Sequence, residues 1–365
     1  MASILLGRRR PPILSTVPLI LSSPYNIAAF STCSRGLAPV VKKKQPHGRR
    51  NLIRRYASNV ATTVAAGGVV SIAVILAGLW LGQRRIIWVG QAANGVAFDP
   101  QPIDPSLGGE VIRLGPTHVG YYFPPKKKKN GQSRKARTVV YFHGNGDQLG
   151  FGAAYLGPIF SNAGLGFLGV EYPGYGLACY KDRDGTETAF PSEAGAIEAA
   201  EALMRHLRVE MNVGIDETIL VGQSIGCAIA LVMAERAYGG RLVLISPFTS
   251  LKDMAGIVLP WLRPIIHFVG PWLLRDSLDN RKRAADVFGK MPTLIVHGTE
   301  DDVVPFSQGK TLSAEFREGD ECHFVPLPGF GHNDVWEYTG MIDVGEGVSE
   351  KRSLLGLIAD FATKS

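Results

Sequence analysis

The chain has 365 residues, 45% of them hydrophobic and 19% charged, enough for one large domain or two small ones with a substantial core. Its formal net charge of +7 is unevenly placed: residues 1–56 hold eleven Lys/Arg and no acid, and the remaining 28 bases face 32 acids. A mildly acidic body gives no electrostatic footing on a phosphate backbone, so nucleic acid is excluded as a partner.

Residues 1–56, basic, Ser-containing and acid-free, read as a targeting presequence that is removed. A mitochondrial address is favoured, with "RRYAS" placing cleavage before Ala57. The apolar patch "PILSTVPLILSS" after "RRR" keeps a secretory route open, and a plastid is a further alternative. Residues 57–83 are uncharged and long enough at ~1.5 Å per residue to span a ~30 Å hydrocarbon core. Trp80, Arg84 and Arg85 fit the interface, so one transmembrane helix is expected here, followed by a linker at 84–104.

From about 108 the pattern alternates between short apolar runs and helical spacing. "GEVIRL" and "HVGYYF" read as a leading antiparallel pair around Gly115–Pro116. The basic stretch 126–137, "KKKKNGQSRKAR", reads as a solvated loop or a contact with anionic lipid. "RTVVYFHGNG", "GFLGVEYPGYG", "ETILVGQ", "RLVLISPF", "PTLIVHGTEDD" and "CHFVPLPGFGH" read as buried strands ending in turns. Helical stretches fall between them, and one starting after Ser192 has Ile197, Ala200, Met204 and Leu207 on one face. Continuous apolar strands separated by helices predict a mostly parallel sheet covered on both faces. Ligand-binding groups then gather beyond the carboxyl ends of the strands.

"GQSIG" (222–226) places Ser224 where a strand turns into a helix. Glycines on either side allow close packing, and the helix N-terminus offers free N–H groups. A serine hydroxyl needs a base to take its proton, and the base needs an acid to hold its tautomer. "HGTEDDVVP" (297–305) supplies carboxylates after one strand and "PGFGHNDV" (328–335) a histidine after the last. Among the carboxylates Asp301 has Glu300, Asp302 and the distant Asp253 as alternatives. His143, His297 and His323 read as structural. The four cysteines, Cys33, Cys179, Cys227 and Cys322, form no C-x-x-C pair and lie at no metal-ligand spacing with histidine, so free thiols are expected, with no metal and no organic cofactor.

"HGNG" (143–146), "EYPGYG" (171–176), "GQSIG", "SPFTS" (246–250), "HGTEDDVVP" and "GFGHND" together resemble the α/β-hydrolase superfamily, and more narrowly its membrane-tethered branch, which includes protein depalmitoylases. The resemblance covers about 105–363 and implies an α/β-hydrolase domain at 105–365. It implies Ser224 as nucleophile, His332 as general base and Asp301 as its partner. It also implies an oxyanion hole from the backbone N–H groups of Ile225 and Asn145, with Gly146 as fallback for the latter. Asp147, an awkward neighbour for a developing oxyanion, is expected to point away and cap the next helix. Tyr172 and Tyr175 are read as pocket floor or as packing.

Residues 251–288, rich in Leu, Ile, Trp, Phe and Pro, read as a short cap or as simple cover for the sheet. The expected activity is a membrane-anchored serine hydrolase cleaving an acyl ester or thioester, its substrate an acyl-chain-bearing lipid or an acylated protein. A serine peptidase, an acyltransferase and a non-catalytic membrane-tethered binding module are the alternatives.

Overall fold

The computed structural model describes residues 80–88, 103–126, 136–178, 190–264, 274–317, 319–343 and 349–364, with single positions 58, 62, 67, 71, 74, 77, 78, 266 and 268. The chain divides into two units, 1–65 and 66–365. In the first, Thr62 donates its hydroxyl to the Ser58 carbonyl. The presequence expected at 1–56, most of the span expected at 57–83 and most of the basic stretch 126–137 lie outside the described residues. Among the described residues no helix is long and apolar enough to cross a membrane.

The second unit is built on an eight-stranded sheet. Its strands are β1 (Glu110–Arg113), β2 (Val119–Phe123), β3 (Thr138–Phe142), β4 (Gly166–Val170), β5 (Thr218–Gln223), β6 (Arg241–Ile245), β7 (Thr293–Gly298) and β8 (Cys322–Leu327). Their order is β1-β2-β4-β3-β5-β6-β7-β8. The first two pairings explain the leading hairpin: β1 runs antiparallel to β2 and β2 to β4, and all later neighbours are parallel. Every residue of β2 to β7 is buried, which is why these strands read as unbroken apolar runs rather than as alternation.

Alternate residues of each strand feed two separate cores. Val140, Phe142, Leu220 and Leu244 pack against helices α2 (Glu193–Val209), α3 (Gly226–Glu235) and α5 (Asn280–Val287). Val139, Tyr141, Val221 and Ile245 face the other way, toward α1 (Gly152–Asn162) and α7 (Leu354–Thr363), and α6 (Phe306–Ser313) lies between β7 and β8 in the chain. The helices begin where the sequence offers caps. Ser192 accepts the Gly195 N–H to start α2, Ser250 accepts that of Asp253 to start α4 (Leu251–Val258), and Ser353 accepts that of Gly356 to start α7. α3 is apolar on all sides and buried from Gly226 to Ala234, a core helix rather than a surface one.

Three features add detail to the sequence reading. The final run contains a hairpin, β9 (Thr339–Asp343) with β10 (Ser349–Ser353), before α7. Trp88, within the stretch expected as a linker at 84–104, is fully buried in the core and meets Tyr172 edge-on. Within 251–288, α5 packs on α3 and covers the sheet, while Ile257, Val258, Trp261 and Phe268 stand exposed ahead of it.

Candidate active site

Ser224 follows β5 at φ +53°, in the left-handed region that L side chains rarely adopt. The corner is tight because the backbone is crowded on both sides. A Cβ on Gly222 would stand 2.5 Å from the Gly226 carbonyl oxygen, and one on Gly226 would strike the Phe142 carbonyl. Only glycine fits at either position, so the strand and the helix close on each other and push the serine out of the sheet. Ile225 then opens α3, and its backbone N–H has no partner among the described residues.

His332 reaches the same place from the loop after β8, and Asp301 from the turn after β7. His332 Nδ1 lies 2.8 Å from Asp301 Oδ2, and both residues are buried. A carboxylate at Nδ1 favours the tautomer with Nε2 free to take a proton. Asp301 Oδ1 accepts the N–H groups of Val303 (3.0 Å) and Val304 (2.7 Å). Burial alone would raise the Asp301 carboxyl. The hydrogen bonds from His297 and His332, the charge of His332 and the Val304 N–H outweigh it, and hold the group well below the usual carboxylate range. Its neighbours Glu300 and Asp302 are exposed. Asp253 is bound to the hydroxyls of Thr249 and Ser250 at the start of α4. Of the four candidate acids, Asp301 is the one that His332 touches.

Ser224 and His332 line one cavity of about 820 Å³, together with Ile225, Gly144, Asn145 and Ile87. That size suits a small-molecule or acyl-chain site. Among the described residues no hydrogen bond joins the Ser224 hydroxyl to the imidazole; catalytic contacts of this kind commonly tighten only with substrate bound. The "HGNG" loop lies directly against Ser224: a Cβ on Gly144 would stand 3.7 Å from that of Ser224. The loop is braced from behind. His143 Nδ1 bonds the Gly144 carbonyl at 2.8 Å, and its Nε2 lies 2.9 Å from the buried Glu171 carboxylate. Tyr172 donates to the His143 carbonyl (2.9 Å) and Tyr175 to the Asn145 side-chain oxygen (2.6 Å). These two tyrosines buttress the loop; neither lines the cavity.

Asp147 lines the cavity but does cap the next helix, its Oδ1 accepting the N–H groups of Gln148 (2.7 Å) and Gly152 (3.0 Å). Burial raises its carboxyl above the usual range, against the pull of His143 and those N–H groups. Gln223, the variable residue of the elbow, has its side-chain oxygen held by Tyr141 Oη and Trp336 Nε1, each at 2.8 Å. Neither partner was visible in the motifs, because the three residues meet only across the sheet. His297 bonds the Val304 carbonyl at 2.9 Å and also stands 3.3 Å from Asp301 Oδ2. Among the described residues no group of His, Cys, Asp and Glu is placed to hold a metal ion.

Residues 133–289 match the family model described as serine aminopeptidase, S33. The match includes Ser224 and ends before Asp301 and His332. An uncharacterized protein of Mycobacterium tuberculosis (strain H37Rv) is 31% identical over 266 residues, covering 70% of this chain and 82% of that protein. The chain belongs to the α/β-hydrolase superfamily. Within it, the human alpha/beta hydrolase domain-containing protein 17B is 29% identical over 201 residues, covering 55% of this chain and 62% of that one. The corresponding figures for WAV2 of Arabidopsis thaliana, also an alpha/beta hydrolase domain-containing protein, are 26% over 215 residues, 54% and 64%. The sheet order and the helices on its two faces agree with that membership, and the chain is a serine-hydrolase-type member.

Proposed function

We propose that the protein is a membrane-anchored serine hydrolase that cleaves an acyl ester or thioester through an acyl-serine intermediate. The observation that carries this is the meeting of Ser224, on its strained elbow, with the Asp301-held His332 at one cavity. His332 Nε2 takes the Ser224 proton as Oγ attacks the carbonyl carbon, and Asp301 steadies the imidazolium that forms. The tetrahedral oxyanion is held by the N–H groups of Ile225 and Asn145. His332 then protonates the departing alcohol or thiol, and water, activated by the same imidazole, releases the acid.

The uncharged 57–83 stretch supports an anchor, as do the exposed apolar Val74, Trp80, Leu81 and Ile86. With the exposed Val258, Trp261 and Phe268 they favour a substrate carrying an acyl chain, whether lipid or acylated protein. The acid-free presequence supports delivery to mitochondria, with the native protein starting at Ala57. N-terminal sequencing of the native protein checks that address.

A fluorophosphonate probe should label the wild-type protein and spare Ser224→Ala; labelling that survives the substitution removes the assignment. The serine aminopeptidase description of the matching family model favours a second reading, an amide substrate. Acyl thioesters and short peptide amides supplied side by side to the same preparation separate the two. Turnover of amides alone retires the acyl-ester reading.

A further inference from the structure

Residues 84–88 precede every strand, yet they are built into the active site. Trp88 is fully buried and donates its indole N–H to Asp276 Oδ2 at 3.0 Å. Arg84 grips the same carboxylate with two donors, each at 3.1 Å, and the Glu193 N–H at the start of α2 approaches it at 3.3 Å. Just upstream, the Gln83 side-chain oxygen accepts the Arg275 N–H at 2.8 Å, and the Arg275 guanidinium lies 5.1 Å from the Trp80 ring centre. The segment is therefore pinned at both ends to 275–276, just ahead of α5.

Between those pins the chain touches the catalytic loop. The Ile87 carbonyl accepts the Asn145 side-chain N–H at 2.6 Å, and Ile87 itself lines the cavity beside Ser224. The other end of the Asn145 amide takes the Tyr175 hydroxyl. Trp88 meets Tyr172 edge-on at 6.1 Å, and Tyr172 holds the His143 carbonyl. Two routes thus run from this segment into the loop, one by hydrogen bond to Asn145 and one by packing through Tyr172.

We propose that residues 80–88 form a strap that sets the position of the oxyanion loop, with Arg84, Trp88 and Asp276 as its positioning residues. The assignment rests on the reading of Asn145 as an oxyanion donor. A side-chain amide clamped on both sides fixes the peptide that carries the Asn145 N–H, and the clamp holds only while the Ile87 carbonyl is in place. The strap makes the stretch just before the domain a working part of the site, so the segment leading from the proposed anchor ends within one hydrogen bond of the loop that stabilises the transition state.

The test uses the full-length chain and the variants Arg84→Met, Trp88→Phe, Asn145→Ala and the Arg84→Met/Asn145→Ala double. Saturable labelling by an alkyl fluorophosphonate gives a maximal inactivation rate and a binding constant for each. Each single variant should lose roughly tenfold or more in maximal rate, with the binding constant within about twofold, because displacing a transition-state donor by about 1 Å costs on the order of 10²-fold. The double should lose about as much as the more impaired of its two parents, since Arg84 reaches the loop through the Ile87–Asn145 contact, while the Tyr172 route runs through Trp88, which the double keeps. Amide hydrogen exchange across 143–147 should quicken in Arg84→Met and Trp88→Phe while β5 to β7 stay protected. Unchanged rates in the strap variants, or losses that multiply in the double, overturn the strap. Should the wild-type protein itself resist the probe, the hydrolase reading falls, and exchange decides the strap alone. Quickened exchange confined to 143–147 upholds it, and unchanged exchange there overturns it.

Discussion

His332 and Asp301 stand 31 positions apart in the chain and 2.8 Å apart in space, each buried at the carboxyl end of the sheet. The contact is local to two adjacent parallel strands, β7 and β8, whose following loops bring Asp301 and His332 together, with His332 at the cavity. Asp301 is further tied by two backbone N–H groups and by His297, so its position does not depend on the imidazole.

Asp301→Asn should keep the fold at neutral pH and lower kcat by something on the order of 10⁴, the loss typical when the base is left in the wrong tautomer. Its stability effect has a defined pH dependence. A carboxyl held below its ordinary range in the folded state stabilises that state above the unfolded pKa. The contribution fades as pH falls through the folded value. Thermal melting should show the full deficit of the variant at pH 7 and a shrinking one below about pH 4. A deficit that grows toward acid contradicts the assignment of charge to Asp301.

Glu171→Gln reports on the opposite sign. Burial works to lower the His143 imidazole, but the hydrogen bond and charge of Glu171, with Asp147 and the Gly144 carbonyl, raise it above its usual value. A histidine raised in this way stabilises the fold below its unfolded pKa and stops doing so as pH climbs through the folded one. The loss in melting temperature caused by Glu171→Gln should be larger near pH 6 than near pH 9. An equal loss at both means that His143 is neutral throughout.

Gly226→Ala should cost more than ordinary overpacking, which runs at about 1–3 kcal/mol. The added methyl meets backbone carbonyls of Phe142 and His143, which cannot swing aside as a side chain does. Denaturant unfolding should show the protein strongly destabilised or unfolded, whereas Gly146→Ala, which meets nothing within 4 Å, should unfold as wild type does.

Gln223→Leu removes the acceptor shared by Tyr141 and Trp336, leaving the half-buried indole N–H unpaired and the Tyr141 hydroxyl with only its longer 3.4 Å bond to Asp147 Oδ2. Each unpaired group costs about 1–3 kcal/mol. Trp336→Phe deletes one donor together with its need for a partner and should be the milder change. Denaturant midpoints of the two variants rank them, and the reverse order counts against the shared-acceptor picture.

Much of this was legible in the sequence because the fold is built from strands buried on both faces. Such strands read as uninterrupted apolar runs, and the motif residues sit in turns at their carboxyl ends. Ser224, Asp301 and His332 were visible for that reason, and the elbow glycines because no other residue fits. What stayed hidden depends on contacts across the chain. Residues 84–88 look like the tail of an apolar stretch, and only the partners Asp276 and Asn145, far off in sequence, show that Trp88 is core. The apolar run "IIWV" after two arginines was the available signal. The β9–β10 hairpin escaped because "TGMID" and "SEKRS" lack the β-branched density of the central strands. The tyrosines of "EYPGYG" were recognised, but whether they formed floor or buttress turned on which way each hydroxyl points.

Cys227 sits one residue into α3, directly behind Ser224, with its sulfur against the carbonyls of Gly222 and Ile245. Complete burial pushes its thiol far above the ordinary range, so it stays protonated at every physiological pH. Maleimides, alkylating agents and peroxide will pass it by while the domain is folded. If such reagents silence this enzyme, the damage must be sought at another sulfur, and a covalent inhibitor aimed at this centre will have to choose oxygen.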